Sequence, residues 1–415
     1  MTLPVVMSQL SAASVAERIG GLPLVARHMK ELYKLGVKTF YLDRLDSSTN
    51  SLPALTKSLP QDTTLSILPS DPTQRAQQLR QLAEASEAIL FVRGDWLVDP
   101  RLLAMLIANA NAIWLPSQAP PAPPSQMIMV AARLSPELAL QGIDADDTWL
   151  PDAPMLNVNT LDTYLPSHRG YKPFYLQSVV TTEEAAAATQ TLIHAAQKHT
   201  LDLPAQWLHP FFENRIVLGL CNTRITPNHV TLLTAVLGAG AALLFLNGAL
   251  RWGVLLAYLV AILDGVDGKL ARTKLQTSRL GEVEHVIDFF VEQSWYLCLT
   301  LYVVNATGHA ILGWIGGLLM ASDVFDKLLY MWGHTAFGKH LDELGPFERR
   351  FRLIGGRRNV YLWFFILGFW SDNPVPVFIA ASMWALSTAL VHSTRFLYHL
   401  RHRDASDVTL QQASS

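Results

Sequence analysis

Apolar residues change their period part-way along the chain. In the first half, short apolar runs alternate with amphipathic stretches. Leu24, Val25, His28, Met29, Leu32 and Leu35 recur at helical spacing, Gly36 ends that helix, and residues 37–42 (VKTFYL) read as a strand. A second pair repeats the scheme, with residues 88–92 (AILFV) as strand and a helix opened by Pro100 running through Leu102, Leu103, Leu106 and Ile107. Strands alternating with helices predict an α/β domain with a mainly parallel sheet. Residues 116–124 hold five prolines and read as a loop. Residues 181–197 predict a helix begun by a Thr181 cap and an acidic first turn.

From about residue 229 the pattern becomes continuously apolar. Six spans follow, at about 229–248, 252–271, 283–304, 310–332, 359–371 and 374–397. Most approach the ~20 residues that a bilayer-crossing helix needs. The fifth is short and must borrow flanking residues or sit where the bilayer thins. Basic residues gather in alternate connections. Arg215 and Arg224 precede the first span, Lys269, Arg272, Lys274 and Arg279 join the second to the third, and Lys339 with five arginines between Arg349 and Arg358 joins the fourth to the fifth. The opposite loops contain only Arg251 as a strong base. The positive-inside rule then puts both termini and the second-to-third connection on the cytoplasmic side of an inner, cytoplasmic membrane. Residues 203–220 mix Trp207, Phe211 and Phe212 with Glu213 and Arg215. They suit either an amphipathic helix in the membrane interface or a linker helix packed on the soluble domain. The expected organisation is an α/β domain at 1–175, a linker with the amphipathic helix at 176–225, an all-α six-helix membrane domain at 226–400 and a polar tail at 401–415.

Composition agrees. Half the residues are hydrophobic and the mean hydropathy is positive, too apolar for an ordinary soluble protein of this length. A formal net charge of −2 gives no sign of a nucleic-acid partner. Cys221 and Cys298 lie in or beside apolar stretches and read as small buried groups. The N-terminus has no basic segment followed by a long apolar core, so no cleaved signal peptide is expected.

The chemistry concentrates at the end of the second span. Asp264 and Asp267 are three residues apart on an apolar helix, and Gly268 shares their face. Carboxylates at that depth are expensive and point to function. Gly265, Gly268 and Ala271 strip bulk from the stretch, although a helical glycine costs ~1 kcal/mol relative to alanine. A bare helix surface beside two carboxylates admits metal ions and a phosphate ligand. Across a short basic loop, Glu284 and Asp288 share a face of the third span, with His285 beside them. Oxygen ligands favour Mg²⁺ or Mn²⁺, one acid could instead serve as general base, and Arg272, Lys269, Lys274 and Arg279 supply charge for a diphosphate.

These residues resemble the CDP-alcohol phosphotransferases, whose pattern is D-x2-D-G-x2-A-R-x8-G-x3-D-x3-D. Asp264, Asp267, Gly268, Ala271, Arg272 and Gly281 match at the family's spacing, and residues 226–231 (TPNHVT) resemble its usual entry to the membrane bundle. The resemblance implies that the first three acids hold two divalent cations against the diphosphate of a CDP-linked donor. The fourth would deprotonate an acceptor alcohol, which attacks the β-phosphorus and releases CMP. In strict frame the last two positions fall on His285 and Phe289; a shift of one residue places Glu284 and Asp288 there. The shifted register makes Asp264, Asp267, Glu284 and Asp288 the metal ligands and Asp288 the base, with His285 as an alternative ligand. Gly268, Ala271, Arg272, Gly281, Lys274, Arg357 and Arg358 are the expected substrate contacts. A phosphorylated or plain alcohol acceptor, the bilayer and a second copy of the chain are the expected partners. A catalytically degenerate scaffold that binds nucleotide or lipid is the competing reading.

In the first half, residues 20–37 look like the early helix of sugar-nucleotide nucleotidyltransferases, and residues 89–95 resemble their metal-aspartate strand, with Asp95 in the metal position. Such enzymes need a glycine-rich loop near the start to cradle a triphosphate, and residues 1–18 contain no glycine. A degenerate nucleotidyltransferase-like domain is therefore expected, with a membrane-anchored cytidylyltransferase as the remaining alternative. The domain order resembles bifunctional enzymes that make CDP-inositol and couple it to inositol phosphate.

Overall fold

The computed structural model describes residues 3–8, 10, 17–43, 59–117, 127–143, 149–168, 170–198, 202–276 and 280–413; the side chains of 167, 280–285 and 403–413 lie outside that description. Residues 5–198 form the α/β domain. Strand β1 (Val5–Ser8) is followed by helix α1 (Leu24–Lys34), β2 (Thr39–Leu42), β3 (Thr64–Ile67), α2 (Pro72–Glu84), β4 (Ile89–Arg93), β5 (Trp96–Val98), α3 (Pro100–Ala108), β6 (Ile113–Pro116), β7 (Met129–Leu134) and α4 (Pro136–Ile143). The main sheet has the order β3-β2-β1-β4-β7-β6, parallel from β3 to β4 and antiparallel beyond. β1 is central and almost wholly buried. Val5 and Met7 face α1 and α3 on one side, and Val6 faces α2 on the other. This two-sided burial follows from the strand period of two, with helices covering both faces.

Residues 176–195 were expected in a linker, yet they complete this domain. β8 (Leu176–Ser178) pairs antiparallel with β5, and α5 (Thr182–Ala195) buries Ala185, Ala188 and Leu192 against Ile19, Leu24 and Leu97. The Thr181 cap is present, as a capping box with Glu184.

Two short helices, α6 (Leu203–Trp207) and α7 (His209–Cys221), lead into the second half. It contains α8 (Pro227–Leu246), α9 (Leu250–Lys274), α10 (Leu280–Thr307), α11 (Ile311–Phe337), α12 (Pro346–Phe351), α13 (Arg358–Trp370) and α14 (Pro374–Ala413). Six of these coincide with the six apolar stretches; polar residues prolong several of them. Among the described residues, two helices are apolar enough by length and composition to cross a membrane, Pro227–Leu246 and Pro374–His402. α13 is short, and α9, α10 and α11 carry acids and bases that lower their hydropathy. The bundle buries Phe245, Trp295, Phe365 and Phe378 at its centre. It leaves Leu232, Val236, Trp252, Trp314 and Leu367 outward and exposed.

α7 lies along α9, where Val217 and Cys221 pack on Ile262, Val266 and Leu270, and it also touches α5 through Ile193. Its other side leaves Phe211 and Leu218 uncovered, beside Trp207 (78 % exposed) at the end of α6. The amphipathic segment thus has both an inward contact and an apolar outer face.

The α/β domain is docked on the motif helix. At the turn before α1, Gly20 and Gly21 have φ of +57° and +92°, and the Gly21 amide donates to Asn222 Oδ1 at 3.2 Å. The Arg27 guanidinium donates to the Thr273 carbonyl. Tyr164 donates its hydroxyl to Glu343 Oε1 at 2.6 Å, which pushes the phenol up to about 12. A side chain at Gly21 would put Cβ 2.5 Å from the Cys221 carbonyl oxygen, in a backbone region that L residues disfavour. Gly21→Ala is therefore expected to cost roughly 1–3 kcal/mol. Faster proteolytic separation of the two halves, at unchanged far-ultraviolet circular dichroism, is the measurement that checks it.

Candidate active site

The i, i+3 spacing on α9 places Asp264 and Asp267 as expected, and each has a distinct partner. Asp267 is 2 % exposed and accepts from Thr231 Oγ1 at 2.9 Å, one turn into α8. Asp264 forms an ion pair with Arg358 at the start of α13. Thr231 belongs to the 226–231 stretch already noted, but its role as the residue holding Asp267 shows only in the packing.

The two glycines of the motif do different things. Gly268 and Ala271 line a cavity of about 670 Å³ between the α/β domain and the bundle, together with Asp267, Arg272, Asn228 and Thr231. Gly265, expected to open the same surface, faces the other way. A Cβ there would overlap the Glu213 carboxylate of α7, so this glycine makes room for a protein side chain, not a ligand.

The basic residues also divide. Arg272 lines the cavity and donates from Nε to the Ala196 carbonyl at 2.9 Å. Lys269 was expected near a diphosphate. It is 1 % exposed and instead meets Glu213 Oε2 at 2.9 Å, Asn214 Oδ1 at 2.6 Å and Gln197. Burial raises the Glu213 carboxyl, and Lys269 opposes that rise. Lys274, an expected substrate contact, donates to the carbonyls of Thr223 (2.9 Å) and Ile225 (2.6 Å) and clamps the α7–α8 turn. Arg357 lies over the Tyr330 ring at 4.6 Å, so of the two arginines only Arg358 reaches the motif aspartates.

Asp288 of α10 is half-buried, and it acts electrostatically on Arg358 together with Asp264 and Glu292. Phe289 turns away to α11, where Lys327 Nζ sits 5.3 Å from its ring centre. Gly281, Glu284 and His285 lie outside the described side chains, and Arg279 lies outside the described residues. Farther along the bundle, Lys327 bridges Glu292 and Asp323 at 2.7 Å each, while Asp326 meets His392 Nδ1 at 2.5 Å. Asp326 and Lys327 take different partners, because adjacent helical residues point about 100° apart.

Among the described residues no three His, Cys, Asp or Glu side chains converge closely enough to hold a metal. The donor chemistry of Asp264, Asp267 and Asp288 is nevertheless all carboxylate oxygen, which suits a hard divalent ion. The Arg358 guanidinium already stands as a cation against Asp264. In the α/β domain, Asp95 is gripped by Arg93 through two hydrogen bonds of 2.7 and 3.0 Å. That fork closes the carboxylate proposed for a nucleotidyltransferase metal.

Across the cavity from Gly268 stand His168 and Lys172 of the α/β domain. Burial pushes His168 down to about 4, and Arg272, Lys172, Lys198 and Arg101 add to the shift. Lys172 is likewise lowered by burial and by Lys269, Arg272 and Arg101. Neither residue was singled out from the sequence, where they sit in a segment without periodicity.

Comparison with known proteins places residues 224–343 in the CDP-alcohol phosphatidyltransferase family model. The chain is 36 % identical over 129 residues to the "Bifunctional IPC transferase and DIPP synthase" of Thermococcus kodakarensis, covering 31 % of this chain and 29 % of that protein. It is 29 % identical over 163 residues to the protein of the same name from Archaeoglobus fulgidus, covering 39 % and 33 %. The chain thus spans about a third of the length of these curated relatives. Among solved structures it is similar to the phosphatidylinositol phosphate synthase of Mycobacterium tuberculosis with CDP-DAG bound (TM-score 0.36, 19 % identity, 46 % of this chain and 92 % of that one). HddC from Yersinia pseudotuberculosis complexed with GMP-PN also aligns (TM-score 0.30, 11 % identity, 46 % and 99 %).

Proposed function

We propose, from the premise that residues 224–343 are a CDP-alcohol phosphatidyltransferase domain, that this protein moves a phosphoalcohol group from a CDP-linked donor to an alcohol acceptor and releases CMP. The observation that carries the reading is the cavity over Gly268 and Ala271. It has the size of a nucleotide site, and Asp267, Arg272 and Thr231 border it. Asp288 takes the proton of the acceptor hydroxyl. The hydroxyl oxygen then bonds to the donor's β-phosphorus as the bond from that phosphorus to the bridging oxygen breaks, and CMP leaves with the bond's electrons. Asp288 suits this role because it shares the Arg358 environment with Asp264, whereas Phe289, the strict-frame residue, faces Lys327. Asp264, Asp267, Glu284 and Asp288 would hold two Mg²⁺ or Mn²⁺ ions, which when bound neutralise the diphosphate. Thr231 fixes the Asp267 carboxylate and Arg358 that of Asp264. Gly281, in the first turn of α10, would be a substrate contact.

The outward apolar side chains of the bundle support six membrane spans, with the site and both termini at the cytoplasmic face. The resemblance to enzymes that couple CDP-inositol to inositol phosphate makes a phosphorylated polar alcohol the proposed acceptor. A homodimer is part of the same reading. The Arg93–Asp95 fork weighs against a working cytidylyltransferase in the α/β domain. The Arg358–Asp264 pair is the observation on the side of a silent binding protein, since it neutralises a motif acid.

Full-length protein in detergent, incubated with Mg²⁺ and either CDP-inositol or CDP-diacylglycerol plus inositol phosphate, is expected to release CMP. Chelation of divalent ions should stop it. No CMP with either donor, from protein that binds CDP, would leave the silent binder as the reading.

A further inference from the structure

The cavity over Gly268 and Ala271 has two walls, and the motif helix makes only one of them. The other belongs to the α/β domain and carries Arg27, Arg101, His168 and Lys172. Two of these cations are already satisfied. Arg101 is held by both oxygens of Asp99, at 2.7 and 3.0 Å, and Arg27 donates to the carbonyls of Ile19 and Thr273. Lys172 is different. It is 9 % exposed, and among the described residues its ammonium makes a single long contact, 3.4 Å, to the His194 carbonyl. Lys269, Arg272 and Arg101 act on it, and Arg272, Lys172, Lys198 and Arg101 also act on the neighbouring His168. Among the described residues, the charged groups that act on Lys172 are all cations. A buried ammonium among like charges is costly unless an anion joins it, and here the space beside it is a ligand-sized cavity at a domain boundary.

We propose that the α/β domain completes the nucleotide site of the membrane half, with Lys172, flanked by His168, binding a phosphate of the nucleotide held over Gly268 and Ala271. The inference rests on the transferase reading for the identity of the nucleotide. It gives the α/β domain a role that does not need its own catalytic aspartate: it is the outer wall of its neighbour's site. Docking of the two halves through Arg27 and the Gly20–Gly21 turn then becomes a condition for tight donor binding.

The test uses the full chain in detergent, with CDP and Mg²⁺ as the probe and calorimetry as the readout. Lys172→Met keeps the aliphatic stem and is expected to weaken CDP binding at least about tenfold, the size of one charge-assisted contact. Lys172→Arg should retain most of the affinity. Lys38→Met, at an exposed lysine paired with Asp62, should bind like the wild type. If Lys172→Met does not fold, protection answers the same question: CDP should shield Lys172 of the wild-type protein from acetylation. Equal affinity in Lys172→Met and wild type, equal acetylation with and without CDP, or no CDP binding by the wild type would each overturn the inference. CDP binding that depends on Lys172 without any CMP release supports it and overturns only the catalytic reading.

Discussion

Asp288→Asn is expected to reduce CMP release by about 10²–10⁴-fold, the contribution typical of a positioned general base. CDP binding should change much less, because the carboxamide keeps the shape and the neighbouring acids remain. Phe289→Asp, built into the Asp288→Asn background, is expected not to restore release. The new carboxylate would face Lys327 of α11, away from Arg358 and Asp264. The pair of variants decides the register of α10, since a slip of one residue turns the helix by about 100°. Full release by Asp288→Asn would show that Asp288 is not the base, and rescue by Phe289→Asp would favour the strict frame.

A second large effect concerns the support beneath the site. Lys269→Met leaves the Glu213 carboxylate buried without its cation and is expected to destabilise the folded protein by about 3–5 kcal/mol. The double variant Glu213→Gln with Lys269→Met should recover much of that loss, because no uncompensated charge remains. The single variant should also depend on pH in a definite direction. Burial holds the folded carboxyl of Glu213 above its ordinary 4.5, and losing Lys269 removes the main force opposing that rise. A carboxyl raised in the folded state contributes stability that is fully present below the unfolded value and is lost as the pH climbs through the folded one. Lys269→Met should therefore approach wild-type stability near pH 4.5 and fall away above it. Unfolding midpoints across that range, in one detergent, measure this. A loss below about 1 kcal/mol at neutral pH would mean that water reaches Glu213.

The same pair shows where sequence reasoning stopped. Lys269 stands two residues after Asp267 in a motif associated with phosphate chemistry, so spacing alone points its charge at a ligand. Side chains two apart on a helix point to different sides, and the one facing α7 met a carboxylate there. Gly265 went the same way, beside the cleared face but not on it. Gly268, Ala271 and Arg272 do share the cavity, since three- and four-residue spacing keeps side chains together on any α-helix. β8 and α5 escaped the domain boundary for a related reason. Their partners, β5 and the turn before α1, are distant in sequence, and composition alone does not reveal pairing.

By itself the sequence determined what depends on near neighbours. It set the alternation of strands and helices, the six apolar helices, the Thr181 cap, and the i, i+3 carboxylates beside a bare helical surface. Tertiary structure alone decided which charges meet, because the partners are remote: Arg358 and Asp264 are 94 residues apart, and Arg27 and Thr273 are 246 apart. It also decided that the α/β domain closes over the motif. A cavity wall is a property of two surfaces, and no local period encodes the second one.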